Sequence, residues 1–290
     1  MLSPSRITYA KFHGLGNDFL VTSNRTSTAD FGMLAKSICE RHTGVGADGL
    51  LLVLKPRSMR NHARVYFFNA DGGEAEMSGN GIRCVGAFMM RQNPRRRSLR
   101  LETACGVKIL ELLSTRAQEK QGKWTFRVNM GRPILEPENI PFAAGRHPSP
   151  VVGYPVNTLH GVLAATVTSM GNPHCSVFVE EFSSVPWEEV GREIERSPLF
   201  PNRTNVEFVR IISKKEIEVR YWERGVGKTM SSGTGSCGAV VACILNGFTR
   251  RDVKVQTLAG ALEVAWPEGK EVLLTGPAEL IADGVYYLPS

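Results

Sequence analysis

Twice along this chain a β-prone apolar stretch gives way to a glycine-rich loop and then to a run that is small and apolar on nearly every side. The first instance is Val65–Asn69, Ser78–Gly81 and Ile82–Gln92, followed by Leu99–Thr103 and Val107–Leu112. The second is Glu216–Trp222, Ser232–Gly235 and Ser236–Asn246, followed by Val253–Thr257 and Ala261–Trp266. Each is expected to form strand, loop, helix, strand, turn and strand. Both helices are too apolar all round to lie on a surface, so each is expected to be buried inside its own sheet. Asn93-Pro94 and Asn246-Gly247 end them with ordinary C-terminal signals.

The two instances keep one register. Ser232 lies 154 positions after Ser78, and the same spacing joins Gly79 to Gly233, Gly81 to Gly235, Thr103 to Thr257 and Gly106 to Gly260. A spacing of 155 joins Gly16-Asn17 to Gly171-Asn172, which implies a one-residue gap between. Two glycine matches could arise by chance. A strand, a loop, a helix and a Thr-x-x-Gly turn in one register indicate a duplicated unit. In each copy a small hydroxyl residue followed by Gly-x-Gly is how a capped helix start would be written, and such ends attract anions.

With 290 residues the chain is long enough for two halves with separate cores, and 42% apolar against 22% charged residues argues against disorder. The formal charge of +7 draws on Arg95-Arg96-Arg97 and Arg100. A solvated turn after a helix accounts for them better than a nucleic-acid face, because no interleaved aromatic residues or nucleic-acid motif accompany them. Six cysteines at 39, 84, 105, 175, 237 and 243 include no Cys-x-x-Cys pair. That spacing excludes the usual zinc patterns and favours a reduced, cytoplasmic setting. Residues 1–6 lack the apolar core of a signal segment, and no run approaches a membrane span.

In chain order, Lys11–Phe19 is expected to be a strand that breaks at a glycine turn presenting Asn17. Ile38–His42 is expected to end a helix, with His42 as a capping histidine, before the loop Thr43–Gly49 and the strand Leu50–Leu54. Asn69–Glu76 is an acidic turn without calcium-loop spacing, so no metal is expected. Residues 114–160 are polar and proline-rich and are expected to connect the halves, crossing near Gly131-Arg132-Pro133. Gly171-Asn172-Pro173-His174 precedes the strand Cys175–Val179. Thr204-Asn205 begins another strand, and Glu223-Arg224 closes the strand ending at Trp222. Asn17, Asn69, Asn172 and Asn205 thus all fall in loops or strand ends, where binding groups collect.

In combination, His13-Gly-Leu-Gly-Asn-Asp-Phe19, Glu40-Arg-His42 with Gly44-Val-Gly-Ala-Asp-Gly49, Asn69-Ala-Asp-Gly72, Gly171-Asn-Pro-His174, Thr204-Asn-Val-Glu-Phe208 and Trp222-Glu-Arg-Gly-Val-Gly227 resemble the diaminopimelate epimerase family. The resemblance runs from about Lys11 to about Leu280. It implies an α/β (α+β) fold of two homologous domains, each a curved mixed sheet around a central helix, with the active site in the cleft between them. The domains would be 1–125 with a returning C-terminal strand 277–290, and 126–276. It implies a cofactor-independent isomerase, without pyridoxal phosphate, that interconverts LL- and meso-diaminopimelate in lysine and peptidoglycan precursor synthesis. The partner would be a small-molecule amino acid, with no nucleic acid or membrane, and a homodimer is left open.

Epimerisation removes a proton from one face of Cα and returns one to the other, so a base and an acid must face each other across the carbon. The resemblance places this pair immediately before the two Gly-x-Gly turns, where the family has cysteines and this chain has Ser78 and Ser232. It adds His174 and Glu223 as groups that tune the pair. Asn17, Asn69, Gly79, Asn80, Asn172, Asn205, Glu223, Arg224, Gly233 and Thr234 would bind substrate. A thiol titrates near 8.5 and lower at a helix N-terminus, whereas a serine hydroxyl acts only when another group takes its proton. The serines, whether natural or introduced, therefore leave three readings open. They are an impaired epimerase, a serine-variant isomerase or dehydratase acting on another amino acid with His174 or Glu223 as base, and a binder that does not turn its ligand over.

Overall fold

The computed structural model describes residues 6–23, 30–143, 145 and 147–288; the segment 1–5, which carries most of the N-terminal reading above, lies outside the described residues. The chain divides into two compact units, Met1–Val128 with Gly276–Ser290, and Asn129–Thr275.

The first unit contains strands β1 (Arg6–Gly14), β2 (Asn17–Thr22), β3 (Gly49–Leu54), β4 (Ala63–Asn69), β5 (Glu74–Ala75), β6 (Ser98–Thr103), β7 (Gly106–Leu112) and most of β8 (Lys123–Gly131), with helices α1 (Phe31–Cys39), α2 (Gly79–Gln92) and α3 (Arg116–Lys120). β1 runs antiparallel to β2, β2 parallel to β3, β3 antiparallel to β4, β4 parallel to β6 and β6 antiparallel to β7. Because β3 lies between two layers of helix, it reads as the unbroken apolar run Gly-Leu-Leu-Leu-Val-Leu, buried on both faces. α1 packs on β3 and β4 on one side, and α2 packs on β1, β2 and β3. One core cluster joins Leu34, Ala35 and Ile38 of α1 to Ile7, Leu20, Leu50 and Leu52 of the sheet.

The second unit holds β9 (Val151–Thr158), β10 (Gly161–Ser169), β11 (Pro173–Phe178), β12 (Asn205–Ser213), β13 (Glu216–Glu223), β14 (Gly227–Thr229), β15 (Asp252–Thr257), β16 (Gly260–Ala265) and the start of β17 (Val272–Tyr287), with α4 (Trp187–Glu195) and α5 (Gly233–Leu245). The pairings repeat those of the first unit step for step, from antiparallel β10–β11 and parallel β11–β12 to antiparallel β12–β13, parallel β13–β15 and antiparallel β15–β16. β15 begins and ends 154 residues after β6. α5 is buried from Gly233 to Cys243 and touches β10, β11, β12, β13, β15 and β16, so this sheet wraps around it. α4 covers the other face through Val190 and Ile194. The repeat inferred from spacing is thus present in the strand ladder itself.

Two expectations are corrected. Residues 114–160 are not a bare connector, because they contain α3, β8 and β9. β8 alternates buried and partly exposed positions along Lys-Trp-Thr-Phe-Arg-Val-Asn-Met-Gly, a half-buried pattern that polar spacers had hidden. His42 does not cap α1. The Ile38 carbonyl accepts from the N–H groups of Val45 and Gly46, and that of Cys39 from Ala47, while the His42 N–H donates to Glu40. The basic run after α2 is the exposed turn expected, with Arg95, Arg97 and Arg100 exposed and Arg97 paired with Glu119 and donating to the Ser114 carbonyl.

Gly86 shows how tightly α2 is held. A Cβ there would sit 2.8 Å from Leu110 Cδ2 and 3.1 Å from Phe126 Cζ. Gly86→Ala is therefore expected to lose about 1–3 kcal/mol through overpacking, read as a lower denaturant midpoint with unchanged slope.

Candidate functional site

In the first unit Ser78 is the N-cap of α2, with extended backbone, and its Oγ accepts from the Gly81 N–H at 3.0 Å. Gly79 and Asn80 form the first turn and are buried. The Asn80 amide donates to Asn17 Oδ1 at 3.2 Å, and the Asn17 amide donates to Asp48 Oδ2 at 2.7 Å. Asn17 reaches this position because Leu15 and Gly16 take positive φ at the β1–β2 turn. Asn69 ends β4, exposed and opposite Gly49, and its main chain closes the turn with Gly72 and Gly73.

Sequence reasoning missed what braces this half. Arg83, fully buried, donates to the Gly79 carbonyl, to Asn80 Oδ1 and to the Pro277 carbonyl. A lone arginine in a buried apolar helix was the available signal. Arg41 bridges Asp18 and Asp48, and Lys11 pairs with Asp18 at 2.9 Å. Burial opposes ionisation of Asp18, but Arg41 and Lys11 outweigh it and hold the carboxyl below its usual range.

The second unit repeats the frame and adds titratable groups. Ser232 is the N-cap of α5, buried, and its Oγ accepts from the Gly235 N–H at 3.2 Å. That hydroxyl donates to Glu223 Oε2 at 3.1 Å, and Thr229 donates to the other carboxylate oxygen at 2.7 Å. Burial pushes the Glu223 carboxyl up, with the hydrogen bonds from Thr229 and Ser232 only partly offsetting it. His174 is fully buried, 2.7 Å from Glu207 by Nδ1 and 3.0 Å from Asn172 by Nε2. Asn172 reaches on to Thr234 Oγ1 at 3.4 Å. Asn205 donates to the Pro173 carbonyl and accepts from the Arg224 N–H, tying the ends of β11 and β13 together. The Arg224 guanidinium donates to the Asn202 carbonyl.

The sequence-predicted residues of the second unit thus gather at one end of α5. Those of the first gather at one end of α2, with Asn69 at the end of the neighbouring strand. Among the described residues, only the second unit supplies a carboxylate hydrogen-bonded to its capping serine; the β4 position matching Glu223 is Asn69. Glu207, Thr229 and Ser176 were missed. Glu207 alone had a signal, as a single carboxylate inside a buried strand. Among the described residues no cluster of His, Cys, Asp and Glu is arranged to hold a metal, and all six cysteines are free. No described helix is long and apolar enough to cross a membrane.

Solved structures share the fold. A hydroxyproline epimerase from Agrobacterium vitis superposes with a TM-score of 0.71 at 13% identity, covering 98% of this chain and 93% of that one. A phenazine biosynthesis protein from Bacillus anthracis gives 0.68 at 15% identity, over 98% of this chain and all of the other. In sequence, the diaminopimelate epimerase of Pelotomaculum thermopropionicum is 45% identical over 282 residues, 96% of this chain and 98% of that protein. The diaminopimelate epimerase of Halothermothrix orenii is 42% identical over 280 residues, 96% and 97% of the two chains. The family model described as diaminopimelate epimerase matches residues 9–135 and 166–281, which takes in both capping serines and every group described above. The chain belongs to the diaminopimelate epimerase family.

Proposed function

We propose that this protein interconverts LL- and meso-diaminopimelate by proton transfer at Cα, with groups drawn from both duplicated halves, about 1–125 with 277–290 and 126–276. The observation that carries this reading is the Ser232 hydroxyl, held at a helix N-terminus and bonded to a partly buried carboxyl whose proton affinity is raised. Glu223 accepts the Ser232 proton as Ser232 takes one from Cα, and Ser78 serves the opposite face. The first-turn N–H groups at Gly79-Asn80 and Gly233-Thr234 favour the substrate carboxylate and the enolate-like charge that develops beside it. Asn17, Asn69, Asn172, Asn205 and Arg224 orient the ammonium and distal groups. The reaction needs no cofactor in this reading, and it takes place in the cytoplasm.

Turnover is slow in this reading, because hydroxyls replace the thiols of the family. The same substitution favours a second reading, in which the pocket binds an amino acid without exchange. Incubation with LL-diaminopimelate in heavy water separates them. Deuterium at Cα, with meso product, is the expected result. Saturable binding without any deuterium would establish the binder, and exchange on another amino acid alone would move the substrate elsewhere.

A further inference from the structure

The ring of His174 is held at both nitrogens. Nδ1 faces a Glu207 oxygen at 2.7 Å and Nε2 faces Asn172 Oδ1 at 3.0 Å, while the Asn172 amide nitrogen turns to Thr234. A carbonyl oxygen only accepts, so Nε2 carries a proton. A second proton lies between Nδ1 and Glu207, whichever of the two holds it. The other Glu207 oxygen accepts from Ser176 at 3.4 Å.

The duplication shows that the fold does not need this pair. His174 pairs with Asn205 across β11 and β12, with Glu207 two residues on; Phe19 pairs with Gly49 across β2 and β3, with Leu51 two residues on. The same two positions hold a buried phenylalanine and leucine in the first unit. An apolar pair avoids the desolvation that a buried His–Glu pair meets, so stability does not explain the choice. α5 is shaped around the pair. A Cβ at Gly238 would lie 2.9 Å from His174 Cγ, and one at Gly235 would lie 2.9 Å from Glu207 Oε1. The position matching Gly238 in α2 is Cys84.

We propose that Glu207 is a positioning residue of this half-site, fixing the His174 ring and keeping a proton on Nε2, so that His174 donates toward Asn172 and the base is Glu223 acting through Ser232. This rests on the proposed proton transfer at Cα. The other groups near the pair are Glu223 and Tyr221 from β13 and Cys175 from β11, with Cys237 of α5 beside Tyr221, while β10 brings Thr168 opposite the histidine. Burial raises Tyr221 and Cys175, which stay neutral.

Nitrogen-15 spectra of the full chain labelled at histidine test this from about pH 6 to about pH 9. The native chain is expected to keep the His174 Nε2 proton throughout. In Glu207→Gln the carboxyl that shares the second proton is gone, and the amide either accepts from Nδ1–H, leaving Nε2 bare, or donates to Nδ1, so the Nδ1 resonance is expected to move in both cases. With diaminopimelate in heavy water, Glu207→Gln is expected to slow exchange at saturating substrate at least about tenfold, with KM little changed and the pH profile displaced; Glu207→Asp restores part of the rate. A bare Nε2 in the native chain, or an unchanged spectrum and profile in Glu207→Gln, overturns the proposal. The native spectrum requires no variant, so a Glu207→Gln chain that fails to fold leaves the test standing. Should no chain exchange Cα protons at all, the proposed function falls, and the spectrum still decides the His174 assignment.

Discussion

Cysteine at both 78 and 232 is expected to raise Cα deuterium exchange by about 10²–10⁴-fold, the range that a positioned acid–base group contributes. Both serines sit as N-caps, where the helix end lowers the pKa of a thiol and leaves that of a hydroxyl out of reach of neutral pH. The halves differ in a way the single variants expose. At 78 a thiol meets the α2 terminus, with the Gly81 N–H aimed at it. At 232 it also meets the Glu223 carboxyl, which disfavours a second negative charge. Ser78→Cys is thus expected to give a thiol reactive well below pH 8.5, and Ser232→Cys one reactive only above it. Background labelling is low, because burial pushes Cys39, Cys84 and Cys243 up to about 12 and raises Cys105 too. Sulfur is a poorer cap, and each replacement gives up about 1 kcal/mol of helix capping. A double variant that binds diaminopimelate yet gains no exchange would mean that the missing thiols are not what limits this pocket.

The duplicated unit was legible because glycine and threonine punctuate both copies at fixed spacing, and turns demand those residues at those places. α2 and α5 were legible as buried helices from their lack of a polar face, although each starts at the glycine after its cap rather than three residues later. β8 and β9 escaped because prolines and charges interrupt their apolar positions. At the site, residue types in loops were readable, and the partners that hold them were not. Nothing local to Asn17 indicates Asp48, and nothing local to His174 indicates Glu207, because both pairings are made by strands joining side by side. Arg83 reaches Pro277 only because the C-terminal strand returns beside β1. Local sequence wrote the elements; the ladder chose the partners.

Glu223→Gln is expected to lower exchange by at least about 10²-fold while leaving the fold as stable as before or slightly more so. Removal of the carboxylate leaves Ser232 with an amide that cannot accept its proton. The stability side follows from sign. Burial raises the Glu223 pKa above its unfolded value, so folding favours the protonated form. That contribution is fully present below the unfolded pKa and fades as pH rises through the folded one, leaving an ionisation penalty at neutral pH. Glutamine removes the penalty and keeps an oxygen for Thr229. Exchange in the native chain should therefore fall as acid protonates Glu223, with a midpoint above the ordinary carboxylate range, and that limb should vanish from the residual rate of Glu223→Gln. Denaturant melts and exchange rates measured on the same samples distinguish this from damage to the fold. If the variant loses exchange and stability together, Glu223 is holding structure at the α5 terminus, and the role of base must pass to another group.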